Sequence, residues 1–354
     1  MAFWNKSASE PKAEAPLACS FCGKTQQQVQ QLIAGPACYI CDGCVRLSMD
    51  LVEPAVEVPA PQPSEAALRT AMATRVCGLR PQISLLARIT AANAQGDGRP
   101  PTVLLVGAPG VGKTALCEAL VEGCGLPAAH AHVHRITATG YIGADLENIV
   151  QQVVLAAGDH RHHADRGLLV LEDLHHLGLR SPVATLARDV GGRDVQPHLV
   201  RLLDRRVLYL PDDPAQRLHP MQSAAQYDPA GLLVLLTCRL DALPDDPSQA
   251  ALRAALIDIG LTQELLDRVD LVVPMALPAA EVLEEVVTEH LLPEVSRTMG
   301  PQAPMEHGEL ASLVAAAQVP GAGGAWRLRQ GVVQRALGAA SGLLDTLPQS
   351  STKA

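Results

Sequence analysis

Val103-Leu-Leu-Val-Gly107-Ala-Pro-Gly110-Val-Gly112-Lys113-Thr114 is an apolar run that breaks into a glycine-rich turn and resumes as the helical stretch ALCEALVEG. From Gly107 onward it satisfies G-x-x-x-x-G-K-S/T, and its place between a strand and a helix is the context that makes such a match specific. Glycines let backbone N–H groups approach phosphate oxygens, Lys113 brings charge to the outer phosphates, and Thr114 offers a hydroxyl to Mg²⁺. Gly107, Ala108, Pro109, Gly110, Val111, Gly112, Lys113 and Thr114 therefore form a candidate site for ATP and Mg²⁺.

Outward from this loop, short apolar runs at Gly167–Leu171 and Gly231–Leu236 alternate with helical stretches such as Asp145–Ala157 and Glu65 to about Asn93. Buried strands alternating with helices imply an α/β fold: a P-loop NTPase whose parallel sheet carries helices on both faces. The expected organisation is a flexible start at 1–14, a cysteine-rich module at 15–52 and a Pro-rich linker at 53–66. A nucleotide-binding domain at 67–275, a small helical domain at 276–347 and a disordered tail at 348–354 complete it.

A P-loop needs a second strand whose end carries acid, and Leu168-Leu-Val-Leu-Glu172-Asp173 provides one. The usual order is Asp-Glu, with Asp on the metal side and Glu polarising the attacking water. With Glu172 in the metal position and Asp173 in the base position, one carboxylate is a methylene too long and the other too short. A misplacement near 1 Å costs about a hundredfold in rate. Slow hydrolysis is therefore expected, and exchanging the two residues is expected to raise it. His130, His132 and His134 alternate as one strand face would present them, and His162–His163 and His175–His176 are adjacent pairs. No fixed carboxylate or cysteine partner for them is evident in the sequence, so packed or solvated histidines are expected.

Cys19-x2-Cys22 and Cys41-x2-Cys44, separated by 18 residues, have the spacing of a four-thiolate Zn²⁺ site, with Cys38 as a spare thiol. Four ligands leave no open position, so the metal folds a module too small to bury much apolar surface. The net charge of −9 argues against general nucleic-acid or anionic-membrane binding. No stretch approaches a membrane span and the start lacks a leader pattern. A cytoplasmic protein is expected, in which the nine cysteines are thiols or metal ligands. Apolar residues make up 48% of the chain but aromatics only 2%, so the core must be Ala, Leu and Val, and each aromatic is informative by its rarity.

The words around these sites resemble the ClpX family of AAA+ protein unfoldases. Cys19-Ser-Phe-Cys-Gly-Lys24, Leu32-Ile-Ala-Gly-Pro36 and Tyr39-Ile-Cys-Asp42 resemble its zinc-binding domain, which in the family dimerises and receives substrates and adaptors. Asp189-Val-Gly-Gly, Val195-Gln196 and Arg217-Leu-His-Pro220 follow the family's order, as does Gly260-Leu-Thr-Gln-Glu264-Leu-Leu-Asp-Arg268. The resemblance implies an ATPase that couples hydrolysis to unfolding. Arg268 is then the finger reaching a neighbouring subunit's γ-phosphate, and Val76 in Val76-Cys-Gly-Leu79 seats the adenine. Thr237 takes the sensor 1 position. Gly140-Tyr-Ile-Gly143 resembles the pore loop, so Tyr141 and Ile142 would grip an extended polypeptide, with Arg217 and His219 lining the entrance.

The resemblance has gaps. In Gly324-Ala-Trp326-Arg327-Leu-Arg329, Trp326 stands where sensor 2 has Arg, unless Arg327 serves by a one-residue shift. Phe3 and Phe21 are the only phenylalanines, which leaves no Gly-Phe tripeptide of the kind that docks ClpP. The resemblance thus implies a homo-oligomeric, hexameric ring acting on unfolded or tagged proteins without conventional ClpP docking. The alternative is a degenerate paralogue that binds ATP, hydrolyses it poorly, and serves as a regulatory or adaptor subunit.

Overall fold

The computed structural model describes residues 17–36, 38–52, 61–96, 98–133, 146–158, 161–178, 186–211, 224–300, 305–319 and 323–340. The chain divides into two compact units, 1–59 and 60–354. The expected flexible start at 1–14, the tail at 348–354 and much of the linker lie outside the described residues.

In the first unit, β1 (Leu32–Ala34) pairs antiparallel with β2 (Tyr39–Cys41), and α1 (Asp42–Val52) follows directly. Among its described residues the buried side chains are those of Cys19 and Cys41. Phe21, Ile33 and Leu47 are exposed. A unit whose interior is thiol and not hydrocarbon cannot draw its stability from apolar burial.

The second unit opens with α2 (Glu65–Ala73), whose Ser64 cap accepts the Ala67 amide at 3.2 Å, and α3 (Arg80–Gln95). The sequence pattern predicts one helix here. The structure breaks it at Thr74–Leu79, where Gly78 takes φ 71° and a Cβ would meet Val282 at 2.2 Å. Then come β3 (Val103–Gly107), α4 (Lys113–Cys124), β4 (Ala128–His132), α5 (Leu146–Ala156), β5 (Leu168–Glu172) and α6 (Leu186–Leu203). A hairpin, β6 (Leu208–Pro211) and β7 (Ala224–Tyr227), precedes β8 (Leu233–Arg239), α7 (Gln249–Asp258), the single turn α8 (Gln263–Leu266) and β9 (Leu271–Pro274).

β4, β5, β8, β3 and β9 pair in that order as one parallel sheet. Every residue of β3 and β5 is buried, as continuous apolar runs covered on both faces require. One face packs Leu104, Val106, Leu169 and Leu171 against α5, α6 and α7, and the other packs Leu105, Leu168 and Val170 against α2, α3 and α4. Leu, Val and Ala fill both layers, as the scarcity of aromatics requires. Because all five strands run the same way, the residues after β3, β4, β5 and β8 gather at one sheet edge, where ligands of open α/β sheets bind.

The chain ends in a helical group: α9 (Ala280–Glu285), a π-helical segment at Val286–Leu291, α10 (Leu292–Met299), α11 (His307–Gln318) and α12 (Gly324–Ala340). Leu283, Val287, Val314, Leu328 and Val332 form its core. The π segment ends two residues before Pro293, whose missing N–H removes a bond from the ordinary ladder. This group meets the sheet domain at the glycine loop: the Ala325 amide at the start of α12 donates to Gly110 O at 3.0 Å.

Candidate functional site

In the first unit the sulfur atoms of Cys19, Cys22, Cys41 and Cys44 all lie within 4.8 Å of one another. Cys19 and Cys44 Sγ are 3.8 Å apart, and Cys22 and Cys41 Sγ 3.6 Å. A tetrahedral ion with bonds of about 2.3 Å requires sulfurs about 3.8 Å apart, so the set fits Zn²⁺. The Cys41 amide donates to Cys19 Sγ at 3.3 Å and the Cys44 amide to Cys41 Sγ at 3.4 Å. Burial and the neighbouring thiols push the Cys44 thiol up to about 12, whereas at Cys19 burial is outweighed by hydrogen bonds from the surrounding backbone and from Cys22, which bring the thiol down to about 6. Cys38 is exposed and outside this cluster.

At the sheet edge, β3 ends in the glycine loop. Gly110 has φ 78° and Gly112 φ 93°, left-handed backbone that glycine adopts without strain. Gly107 is packed so tightly that a Cβ would meet Met275 O at 2.4 Å. Lys113 and Thr114 begin α4, so the loop amides and helix N-terminus form a cradle for phosphate. Lys113 Nζ donates to Gly107 O and Ala108 O, both at 2.8 Å. Burial, its largest influence, pulls the Lys113 amine below its usual value against the charges of Asp173 and Glu172. Thr114 Oγ1 donates to Glu172 Oε2 at 2.5 Å, which joins the two halves of the site. Glycine cradle, lysine, hydroxyl and carboxylate are the donor set that suits ATP with Mg²⁺.

Glu172 is 1% exposed, and its other oxygen, Oε1, lies 2.5 Å from His130 Nε2. Burial disfavours its charge, but the bonds from His130 and Thr114 prevail and hold the carboxyl below its ordinary value. The same bond raises His130 despite its burial. Asp173 sits in left-handed backbone, φ 68° and ψ 40°, an arrangement Asp tolerates better than most residues. Its amide donates to Thr237 Oγ1 at 3.1 Å, and its Oδ2 lies 3.0 Å from His132 Nδ1. The expectation that these histidines lack carboxylate partners is thereby corrected. Alternation was the visible signal, but the partners stand at the last residue of β5 and the one after it, which only the β4–β5 register brings alongside. His134 lies outside the described residues.

Arg268 follows α8 and turns inward on its own chain. Its Nε donates to Asp204 Oδ1 at 2.9 Å and its Nη1 to Glu264 O at 2.8 Å. The Asp204 partner carried no sequence signal, standing 64 positions away. Val76 is buried in the apolar cluster that also holds Leu79 and Val111 beside the loop. On α12, Ala325 touches the loop, Trp326 is 61% exposed, Arg327 is exposed, and Arg329 pairs with Glu294 at 3.1 Å. Tyr141, Ile142, Arg217 and His219 lie outside the described residues.

Residues 17–53 match the family model of the ClpX C4-type zinc finger. Residues 103–261 match that of the ATPase family associated with various cellular activities, AAA. The second match spans β3 to the end of α7, the strand-and-loop frame of the site just described. No helix among the described residues is long and apolar enough to cross a membrane. A ClpX C4-type zinc finger and an AAA ATPase domain on one chain are the parts of a ClpX-like AAA+ protein.

Proposed function

We propose that this chain is an ATP-driven remodeller of polypeptides, assembled as a hexameric ring in the cytoplasm. The zinc module recruits unfolded or tagged clients, Tyr141 and Ile142 pull them through the ring, and Arg217 and His219 line its entrance. The residues between β8 and Arg268 contain no Gly-Phe tripeptide, so ClpP is not its conventional partner.

The observation that carries the reading is the 2.5 Å contact between Thr114 and Glu172, which links the glycine loop to the acidic strand end beside it. In the proposed cycle, phosphates displace the loop carbonyls from Lys113, and the amides of the loop hold them in line. Mg²⁺, when bound beside Thr114 and Glu172, neutralises charge on the phosphate oxygens. Asp173 orients the water, and Arg268 of a neighbouring copy leaves Asp204 to stabilise the charge that develops. Steady-state hydrolysis by the zinc-loaded protein, with Lys113→Ala as blank and with or without unfolded polypeptide, tests this. Polypeptide-stimulated turnover above the blank is expected.

A second reading rests on Trp326 and Arg268. The indole of Trp326, which would take the sensor 2 position unless Arg327 serves there, is exposed, and the candidate finger is held by Asp204. A chain built this way binds ATP and gates partner binding without efficient turnover. Tight ATP binding with blank-level hydrolysis would select it.

A further inference from the structure

β4 runs parallel to β5 with His130 opposite Val170 and His132 opposite Glu172. Alternation places both imidazoles on one face of β4, at the end of the sheet where the acidic pair emerges. Each ring meets a different carboxylate through a different nitrogen: His130 Nε2 to Glu172 Oε1 at 2.5 Å, and His132 Nδ1 to Asp173 Oδ2 at 3.0 Å. An ionised carboxylate only accepts, so both ring nitrogens donate.

We infer that His130 and His132 are positioning residues for ATP hydrolysis, each holding one carboxylate of the inverted acidic pair in working geometry. The inference rests on the hydrolysis reading above. Glu172 has one more rotatable bond than the Asp usual at its position. With Oε1 held by His130 and Oε2 by Thr114, that extra freedom is removed and the second oxygen is kept at the hydroxyl beside the phosphate cradle. Asp173 is a methylene short of the usual Glu and is constrained three ways. Its backbone is left-handed, its amide is bonded to Thr237, and its carboxylate is tied to His132. A carboxylate fixed in this way need not search for the water, which is where misplacement of about 1 Å is costly. The histidines thus belong to the reversed acidic order, and they make each carboxylate suited to a position its length alone does not fit.

Amide side chains separate this role from simple cohesion between strands. Gln places its nitrogen near the imidazole Nε2 position and Asn near Nδ1. In the full-length zinc-loaded protein, kcat and KM for ATP are measured with calorimetric affinity for a non-hydrolysable ATP analogue with Mg²⁺. The variants are Ala, Asn and Gln at each position, with far-UV circular dichroism to establish folding. His130→Ala and His132→Ala are expected to lower kcat about tenfold to a hundredfold. His132→Ala is expected to leave analogue affinity within about twofold of the parent, because its effect falls on the chemical step. His130→Gln and His132→Asn should restore most of kcat, and His130→Asn and His132→Gln should not. Should an alanine variant fail to fold, the comparison of its two amides decides. Unchanged kcat in both alanine variants overturns the inference, as does indifference to which amide is supplied. Wild-type turnover no higher than Lys113→Ala would instead overturn the hydrolysis reading, and this inference with it.

Discussion

At the scale of single residues, Asp204 and Arg268 show how a side chain's chemistry is set by a partner far away in sequence. The bond from Arg268, with burial opposing it, holds the Asp204 carboxyl below its ordinary 3.8. The folded state therefore binds that proton less tightly than the unfolded state does. The stabilisation is fully present above the unfolded value and is lost as pH falls through the lowered folded value. Asp204→Asn is expected to be less stable than the parent by a constant margin near neutral pH, a margin that closes below about pH 3.8. Urea unfolding across that range checks it; a margin that widens in acid would contradict the assignment. Lys113 and Thr114 were legible as single residues because their roles follow from contiguous neighbours. The partners of Arg268, His130 and His132 were not, because a side-chain bond between segments distant in sequence leaves no mark on local spacing.

Elements carry the next level. The glycine loop is read by phosphate in one direction and by α12 in the other, since Gly110 O accepts the Ala325 amide. Gly110→Ala would place a Cβ 1.8 Å from Gly323 O while the backbone stays at φ 78°. It is expected to cost at least about 1–2 kcal/mol in left-handed strain alone and to abolish ATP binding. Gly98→Ala, with nothing within 4 Å of the added atom, serves as the neutral control in melting and ATP titration. In the sheet, Leu104→Ala removes a side chain 0% exposed between β8 and β9, with an expected loss of about 2–5 kcal/mol by denaturant titration. The strands β3, β5 and β8 were legible as apolar runs. The break between α2 and α3 was not, because apolar periodicity continues through it and what stops the helix is the packing of Gly78 against Val282.

For the whole molecule, the division into 1–59 and 60–354 separates two sources of stability. The first unit buries Cys19 and Cys41, and the second buries layers of Leu and Val on both faces of a sheet. Chelation of Zn²⁺ in the full-length protein is therefore expected to unfold the first unit and leave the second intact. In circular dichroism this reads as loss of a minor part of the signal, with ATP affinity retained. Cys41→Ser should abolish zinc binding, whereas Cys38→Ser should leave one ion per chain, measured by metal analysis. Collapse of the whole chain on chelation would show that the two units depend on one another.

Composition and contiguous motif determined much of this protein without tertiary structure. A run of buried β-residues leading into G-x-x-x-x-G-K-T can form only a strand, a phosphate loop and a helix, and two C-x2-C pairs can close on one metal because each pair is local. Tertiary structure decided which groups attend the chemistry. The parallel register of β4 on β5 delivers His130 and His132 to Glu172 and Asp173, and the fold of α6 brings Asp204 to Arg268. The physical reason is reach: a motif spans the few ångströms that adjacent residues cover, whereas an acidic pair is oriented by whichever strand the sheet happens to lay beside it.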